Sequence, residues 1–379
     1  MKYLVLFLFS WCSYASSSCQ RYPFEITGKI EGMDTGSVEI FRVVGGGKFT
    51  EISFISKKAT IANGEFKFSG RLTYPHAIHA LFVVGKKKAY TEMFFIEKGK
   101  QHLVCSIDTI NYKTPIVIGS KVHEEFVAKF IPSNKMNSDD YDRYFKEGEE
   151  LSNKYNGKTP QAEKDRLTDW GRELGRLQDS IINKYITQNP RSYVGLWQLI
   201  ERFTSKGYRE SYEASASLLS SSLKKTKSGT ALIKGLKEAK LTSIGKTFPI
   251  INLLSMEGSL EQIKHKPKRF TLIDFWYSHC GPCIAEFPAL KETYESFKDK
   301  NLTIVGISID TENDKNDWLN AIPKHGLNWK QLWDKNGAFA KSIYVNSFPT
   351  TFLLDSEGKI LFKNIKQTEL TKFLTDNLQ

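Results

Sequence analysis

Between residues 22 and 118 apolar side chains recur at every second position in short runs broken by turn residues. Phe24-Glu25-Ile26-Thr27-Gly28, Ser37-Val38-Glu39-Ile40-Phe41 and Glu65-Phe66-Lys67-Phe68 all follow this period of two, which is the signature of strands buried on one face. Asn63-Gly64 precedes the third run and supplies the positive φ angles of a tight hairpin turn. Ala80-Leu81-Phe82-Val83-Val84 is continuous instead, as in a strand covered on both faces. Strands at this near-regular spacing predict an antiparallel β sandwich or open barrel.

From 121 to 243 the period lengthens and a helical middle region is expected. Leu167, Trp170, Leu174, Leu177, Ile181, Ile182 and Tyr185 are three or four apart within residues 165–189, and Asn189-Pro190 closes that helix because proline cannot continue the ladder. Further helices are expected over about 191–203, 209–222 and 229–240. Trp170, Trp197 and the tyrosines of this region read as core rather than as a cofactor box. After a linker at 242–250 the pattern alternates β and α. Strands are expected at 270–276, 302–309, 350–354 and 359–362, with helices from 282 to about 299, near 314–324 and over 368–378. That order builds an α/β domain over 245–379 with a central sheet covered by helices on both faces.

The length of 379 residues accommodates these domains. The net charge is +12, and residues 246–379 are nearly balanced, so almost all the excess lies before them. Scattered surface lysines account for it, and no nucleic-acid-binding motif accompanies it. Lys2 followed by the apolar stretch Tyr3 to Phe9 and the small residues Ala15-Ser16-Ser17-Ser18 reads as a signal peptide over 1–18. The mature chain is therefore expected in the periplasm or cell envelope. Cys19 admits two readings. It resembles the lipidated cysteine of a bacterial lipoprotein and is a candidate lipid anchor, but Ser16-Ser17-Ser18 lacks the leucine usual three residues before it, and plain cleavage is the alternative.

Five cysteines are too few for a disulfide-stapled scaffold. Cys12 leaves with the signal peptide, and Cys105, in an alternating strand pattern, reads as a small buried hydrophobe. Cys280-Gly281-Pro282-Cys283 follows a strand and opens a helix. Unpaired N–H groups and the helix dipole there favour a thiolate, drawing its pKa from ~8.5 toward ~7. Cys280 is thus the expected exposed nucleophile and Cys283 the buried resolving thiol. A zinc site lacks further ligands at suitable spacing, and a c-type haem site would need histidine where Ile284 stands. No metal or cofactor is expected.

Phe275-Trp276-Tyr277-Ser278-His279-Cys280-Gly281-Pro282-Cys283 with Glu286-Phe287-Pro288 resembles the thioredoxin superfamily and, more narrowly, the TlpA/ResA-type envelope thiol–disulfide oxidoreductases. The resemblance covers about 245–379. More loosely, the β-rich and helical part is similar to an uncharacterised domain often found before such reductases. The resemblance implies that Asp274, six residues before Cys280, is the buried carboxylate that takes the resolving thiol's proton, with a raised pKa. It implies that Glu286 lies near the disulfide and tunes its thiols. It also implies that Pro349, in Phe348-Pro349-Thr350, is cis and faces the pair, beside backbone that adds a substrate segment as a strand. His279 stands where thioredoxins have tryptophan; its imidazolium is expected to stabilise the Cys280 thiolate.

The implied activity is reduction of protein disulfides in exported proteins, including apocytochromes c, with electrons from a membrane thiol donor. Disulfide isomerase, thiol peroxidase and partner-binding lipoprotein are the alternatives. Against a peroxidase, Tyr277 stands where a threonine is usual three residues before the peroxidatic cysteine.

Overall fold

The computed structural model describes residues 21–42, 57–108, 110, 113–263 and 270–378. The expected signal peptide and Cys19 lie outside the described residues. The chain divides into two compact units, one formed by residues up to 201 with 220–228, the other by 202–219 with 229–379.

The first unit opens with nine strands: β1 Tyr22–Glu31, β2 Thr35–Arg42, β3 Lys57–Ala62, β4 Glu65–Leu72, β5 His76–Val84, β6 Lys87–Tyr90, β7 Phe94–Ile96, β8 Gly99–Ser106 and β9 Ile116–Ile118. They form one sheet in the order β6-β5-β2-β3-β4-β1-β8-β9, with β7 also on β5. Asn63 and Gly64 turn β3 into β4 with φ of 52° and 74°. All pairings of named strands are antiparallel except β1 with β8, which run parallel from Phe24↔Gly99 to Glu31↔Ser106. Inward side chains from all nine of these strands, including Phe24, Ile26, Val38, Phe66, Phe82, Leu103 and Val117, join one buried cluster. The sheet therefore curls around a single core, nearer the open barrel than the sandwich. Cys105 belongs to that core as a free thiol, and burial pushes its pKa up to about 12.

Helix α1 Lys121–Glu125 starts where the Ser120 hydroxyl accepts the His123 N–H at 3.1 Å, and a π turn, Phe126–Phe130, leads into α2 Ile131–Lys154. The sequence pattern gave no separate helix for 126–154, because polar residues dominate α2. Helix α3 is Gln161–Gln188, α4 Tyr193–Lys206, α5 Glu210–Leu218, α6 Ser221–Lys224 and α7 Lys227–Lys240. Trp197 is fully buried, and its indole N–H donates to the Pro75 carbonyl at 3.2 Å. Trp170, expected in the core, is only half-buried: it packs edge-on against the half-buried Tyr144 where α2 and α3, rich in polar residues, leave it partly open to solvent.

The second unit contains α5, α7 and a seven-stranded sheet ordered β11-β10-β14-β13-β12-β15-β16. Its elements are β10 Asn252–Ser255, β11 Leu260–Gln262, β12 Phe270–Trp276, α8 Gly281–Phe297, β13 Leu302–Ser308, α9 Lys315–His325, β14 Lys330–Trp333, α10 Ala338–Ser342, β15 Thr350–Leu354, β16 Ile360–Lys363 and α11 Gln367–Asn377. β12 and β13 are parallel, whereas β15 is antiparallel to β12. Leu272 and Trp276 enter one core with residues of α8, α9 and α11, while Ile273 and Phe275 enter a second on the opposite face. Strand β12 is thus sandwiched, which explains its unbroken apolar run. Gly235 of α7 has no room for a side chain: a Cβ there would lie 2.8 Å from Tyr344 and 2.9 Å from Phe203, whose rings stack at 4.7 Å.

Candidate active site

Strand β12 delivers the chain to a tight turn in which the Cys280 N–H donates to the Tyr277 carbonyl at 3.0 Å. Cys280 is the N-cap of α8, and Pro282 sits in the first turn, where its missing N–H costs no hydrogen bond. Cys280 and Cys283 are joined as a disulfide with Cα atoms 5.2 Å apart, and the Cys280 Sγ accepts the Cys283 N–H at 3.2 Å. A sulfur in this position takes the place of a capping oxygen and meets the positive end of the helix dipole.

The expectation of an exposed Cys280 does not hold in this state. Both cysteines are 1% exposed, although His279, Gly281 and Pro282 around them are exposed.

Asp274 is buried, and its pKa is pushed up to about 7, first by desolvation and then by the Glu286 charge. Glu286 lies on the exposed side of α8, yet its carboxyl is also pushed up by partial desolvation. Asp274, Cys283, Glu286 and Pro349 line one cavity of about 310 Å³, together with Thr351 and Lys366 among others. The Phe348–Pro349 bond is cis. The fold therefore brings four of the six candidate residues to a single cavity on the side of the resolving cysteine. His279 is not among them. It points to the surface, where its Nε2 lies 3.0 Å from Asp317 Oδ2 of α9, both side chains more than half exposed. Asp314 completes a group with ligand atoms within 4.8 Å of one another. Exposed carboxylates beside an imidazole are equally well satisfied by water, so no metal is assigned there.

Sequence reasoning missed Asp310. This buried residue follows β13, and its carboxylate accepts the Ser278 N–H at 3.0 and 3.2 Å, the Ser278 hydroxyl at 2.6 Å and the Ser308 hydroxyl at 2.6 Å. Its carbonyl accepts the Trp333 indole N–H at 2.8 Å. Asp310 thereby pins the turn that presents Cys280. Its signal in the sequence was only a polar residue just past a strand end, which is common at surfaces. Gln331, within β14, was missed because its partner is distant in the chain; its side-chain oxygen accepts the buried Trp276 N–H at 3.1 Å.

Residues 244–363 match the model of the AhpC/TSA family, and residues 24–126 match a domain of unknown function, DUF4369. The thiol–disulfide oxidoreductase ResA of Bacillus thuringiensis subsp. konkukian is 29% identical over 143 residues, which are 38% of this chain and 80% of that protein. The C-terminal domain belongs to the thioredoxin-like thiol–disulfide oxidoreductases. Two solved relatives of this oxidoreductase domain come from Bacteroides. The thioredoxin domain of a thiol–disulfide oxidoreductase from Bacteroides vulgatus is 30% identical, covering 36% of this chain and 99% of that one, with a TM-score of 0.33. A thiol–disulfide oxidoreductase from Bacteroides fragilis is 32% identical, covering 35% and 100%, with a TM-score of 0.32. Among the described residues no helix is long and apolar enough to cross a membrane.

Proposed function

We propose that this oxidoreductase reduces disulfides of exported proteins in the bacterial cell envelope, apocytochromes c among them, and that a membrane thiol donor restores it. In the reduced enzyme the Cys280 thiolate attacks one sulfur of a substrate disulfide. That bond breaks, a mixed disulfide forms, and the departing substrate thiolate takes a proton. Asp274 accepts the proton of the Cys283 thiol; the resulting thiolate attacks Cys280 Sγ, forms the internal disulfide and expels the second substrate thiolate. Two electrons pass from the cysteine pair to the substrate. Glu286 biases the proton transfer by disfavouring a second charge beside Asp274. Backbone before Pro349 receives the substrate as an added strand.

One observation carries this reading: Asp274, its pKa pushed up to about 7, shares a cavity with Cys283. A proton acceptor works best when its pKa lies near the working pH. The envelope is the expected place because the N-terminal pattern reads as an export signal, with Cys19 as the candidate anchor. The trapping experiment is direct. With Cys283→Ser, mixed disulfides persist on Cys280 and can be recovered from envelope extracts and identified. Absence of thiol-reducible adducts, or the same adducts with Cys280→Ser added, refutes the assignment.

A further inference from the structure

We propose that Tyr277 and Phe348 form an aromatic clasp over the redox pair, and that this clasp selects against small hydrophilic thiols in favour of protein segments with apolar residues around the cysteine. The inference rests on the proposed reading of Cys280 as the sulfur that exchanges with outside thiols and disulfides.

The clasp follows from strand register. β12 and β15 pair through Asp274↔Thr351 and Phe275↔Thr350. Carried two residues beyond the last pair, the same register sets Tyr277 opposite Phe348, and their rings meet edge to face with centroids 5.9 Å apart. One ring belongs to the turn whose carbonyl holds the Cys280 N–H; the other precedes the cis proline that lines the cavity with Cys283. Both rings are half-buried and pack against the core cluster that contains the two cysteines.

Thiol attack on a disulfide needs a sulfur approaching along the S–S axis. Cys280 is 1% exposed, so an incoming thiol must first displace something. The residues beside it in the chain are already exposed and form no apolar cover. In this proposal the Tyr277–Phe348 contact, packed against the cluster that holds both cysteines, serves as the cover that an extended segment entering between the two loops would part. Glutathione, small and charged, offers nothing to replace the lost ring contact. A protein segment with leucine or phenylalanine next to its cysteine repacks against both rings.

The test uses the oxidised full-length chain and reduced glutathione. One glutathione thiolate attacks Cys280 Sγ and breaks the disulfide, leaving Cys283 as a thiolate that takes a proton. A second glutathione attacks the mixed disulfide, giving the dithiol and glutathione disulfide. Tyr277→Ala and Phe348→Leu are each expected to speed this reduction about fivefold, the scale of one aromatic pair. Two cysteine peptides, one flanked by leucine and phenylalanine and one by serine and glycine, provide the second readout. The native chain should prefer the apolar peptide, and both variants should lose that preference. Phe348→Leu keeps an apolar side chain in the core, so a folding defect in one variant leaves the other to decide. Unchanged glutathione rates in the two variants, or equal rates of the native chain with both peptides, overturn the clasp. A chain that never cycles between disulfide and dithiol defeats the proposed function instead.

Discussion

The two sheets of this protein bury their polar groups on different terms. The nine-stranded sheet curls around one core, and most of the buried polar side chains it carries are tied into it. Gln101 bonds the backbone of Glu97 through both ends of its amide, and His123 finds partners for both ring nitrogens in the Phe95 N–H and the Pro115 carbonyl. The exception is His76, whose Nδ1 meets the Tyr74 carbonyl at 2.6 Å while its buried Nε2 has no partner among the described residues. The seven-stranded sheet has cores on both faces and buries three acids, Asp274 within β12 and Asp310 and Asp334 just beyond the ends of β13 and β14. Asp310 is surrounded by donors, and Asp334 accepts the N–H groups of Phe339 and Ala340 at 2.8 Å each. Asp274 has burial and a neighbouring carboxylate acting on it, and no donor among the described residues draws its pKa back. Carboxylates supplied with donors stiffen a scaffold. One deprived of them stores a proton, and it sits beside Cys283.

This contrast gives the two units opposite pH slopes, and the largest effect belongs to Asp274. Its folded pKa of about 7 exceeds the unfolded 3.8, so the native state holds the extra proton between these values. Stability of the second unit should therefore be full below the unfolded pKa and fall by up to ~4 kcal/mol as pH rises to 7, then level off. Asp274→Asn should flatten that slope while slowing closure of the internal disulfide. Hydrogen exchange of β12 amides across pH measures the first effect, and stopped-flow turnover the second; a slope retained in the variant would refute the assignment.

In the first unit His76 should act in the reverse direction. Burial lowers its pKa from 6.5 to about 4, so the unfolded chain binds the extra proton in that window. Stability is complete above 6.5 and falls by up to ~3 kcal/mol as pH drops to 4. Exchange of β5 amides should show the loss, and His76→Gln should remove it. Parallel slopes in both units would break the comparison.

The smallest effect is expected at His279, because it and its partner Asp317 are both exposed, where solvent screens charge. His279→Ala should move the Cys280 thiolate titration, followed by thiolate absorbance, only slightly upward. A shift above one pH unit would place the imidazole in the catalytic machinery.

Much of the site was legible because its chemistry is local. The Cys-x-x-Cys spacing, the proline in the first turn and the preceding apolar strand occupy a continuous stretch, and the helix cap follows from that order. The tight turn at Asn63-Gly64 was legible for the same reason. Asp310 and Gln331 were not, since their partners Ser278 and Trp276 are 32 and 55 residues away in the chain. Short strands such as β10, β11 and β14 also escaped notice, because a run of three or four residues carries too little periodicity. The parallel pairing of β1 with β8 could not be read either, as alternation reports which face is buried and says nothing of the neighbour's direction.

The order of residues alone thus determined the nature of the elements, the division into a β-rich, a helical and an α/β region, and a pair of sulfurs one helical turn apart. Those properties depend on neighbours within a few residues. Tertiary structure decided that Cys280 is covered in the disulfide, that His279 faces Asp317 at the surface, and that Asp274 and Glu286 open onto one cavity with Cys283. Burial and charge proximity are set by chain segments brought together from a distance, and pKa follows from them.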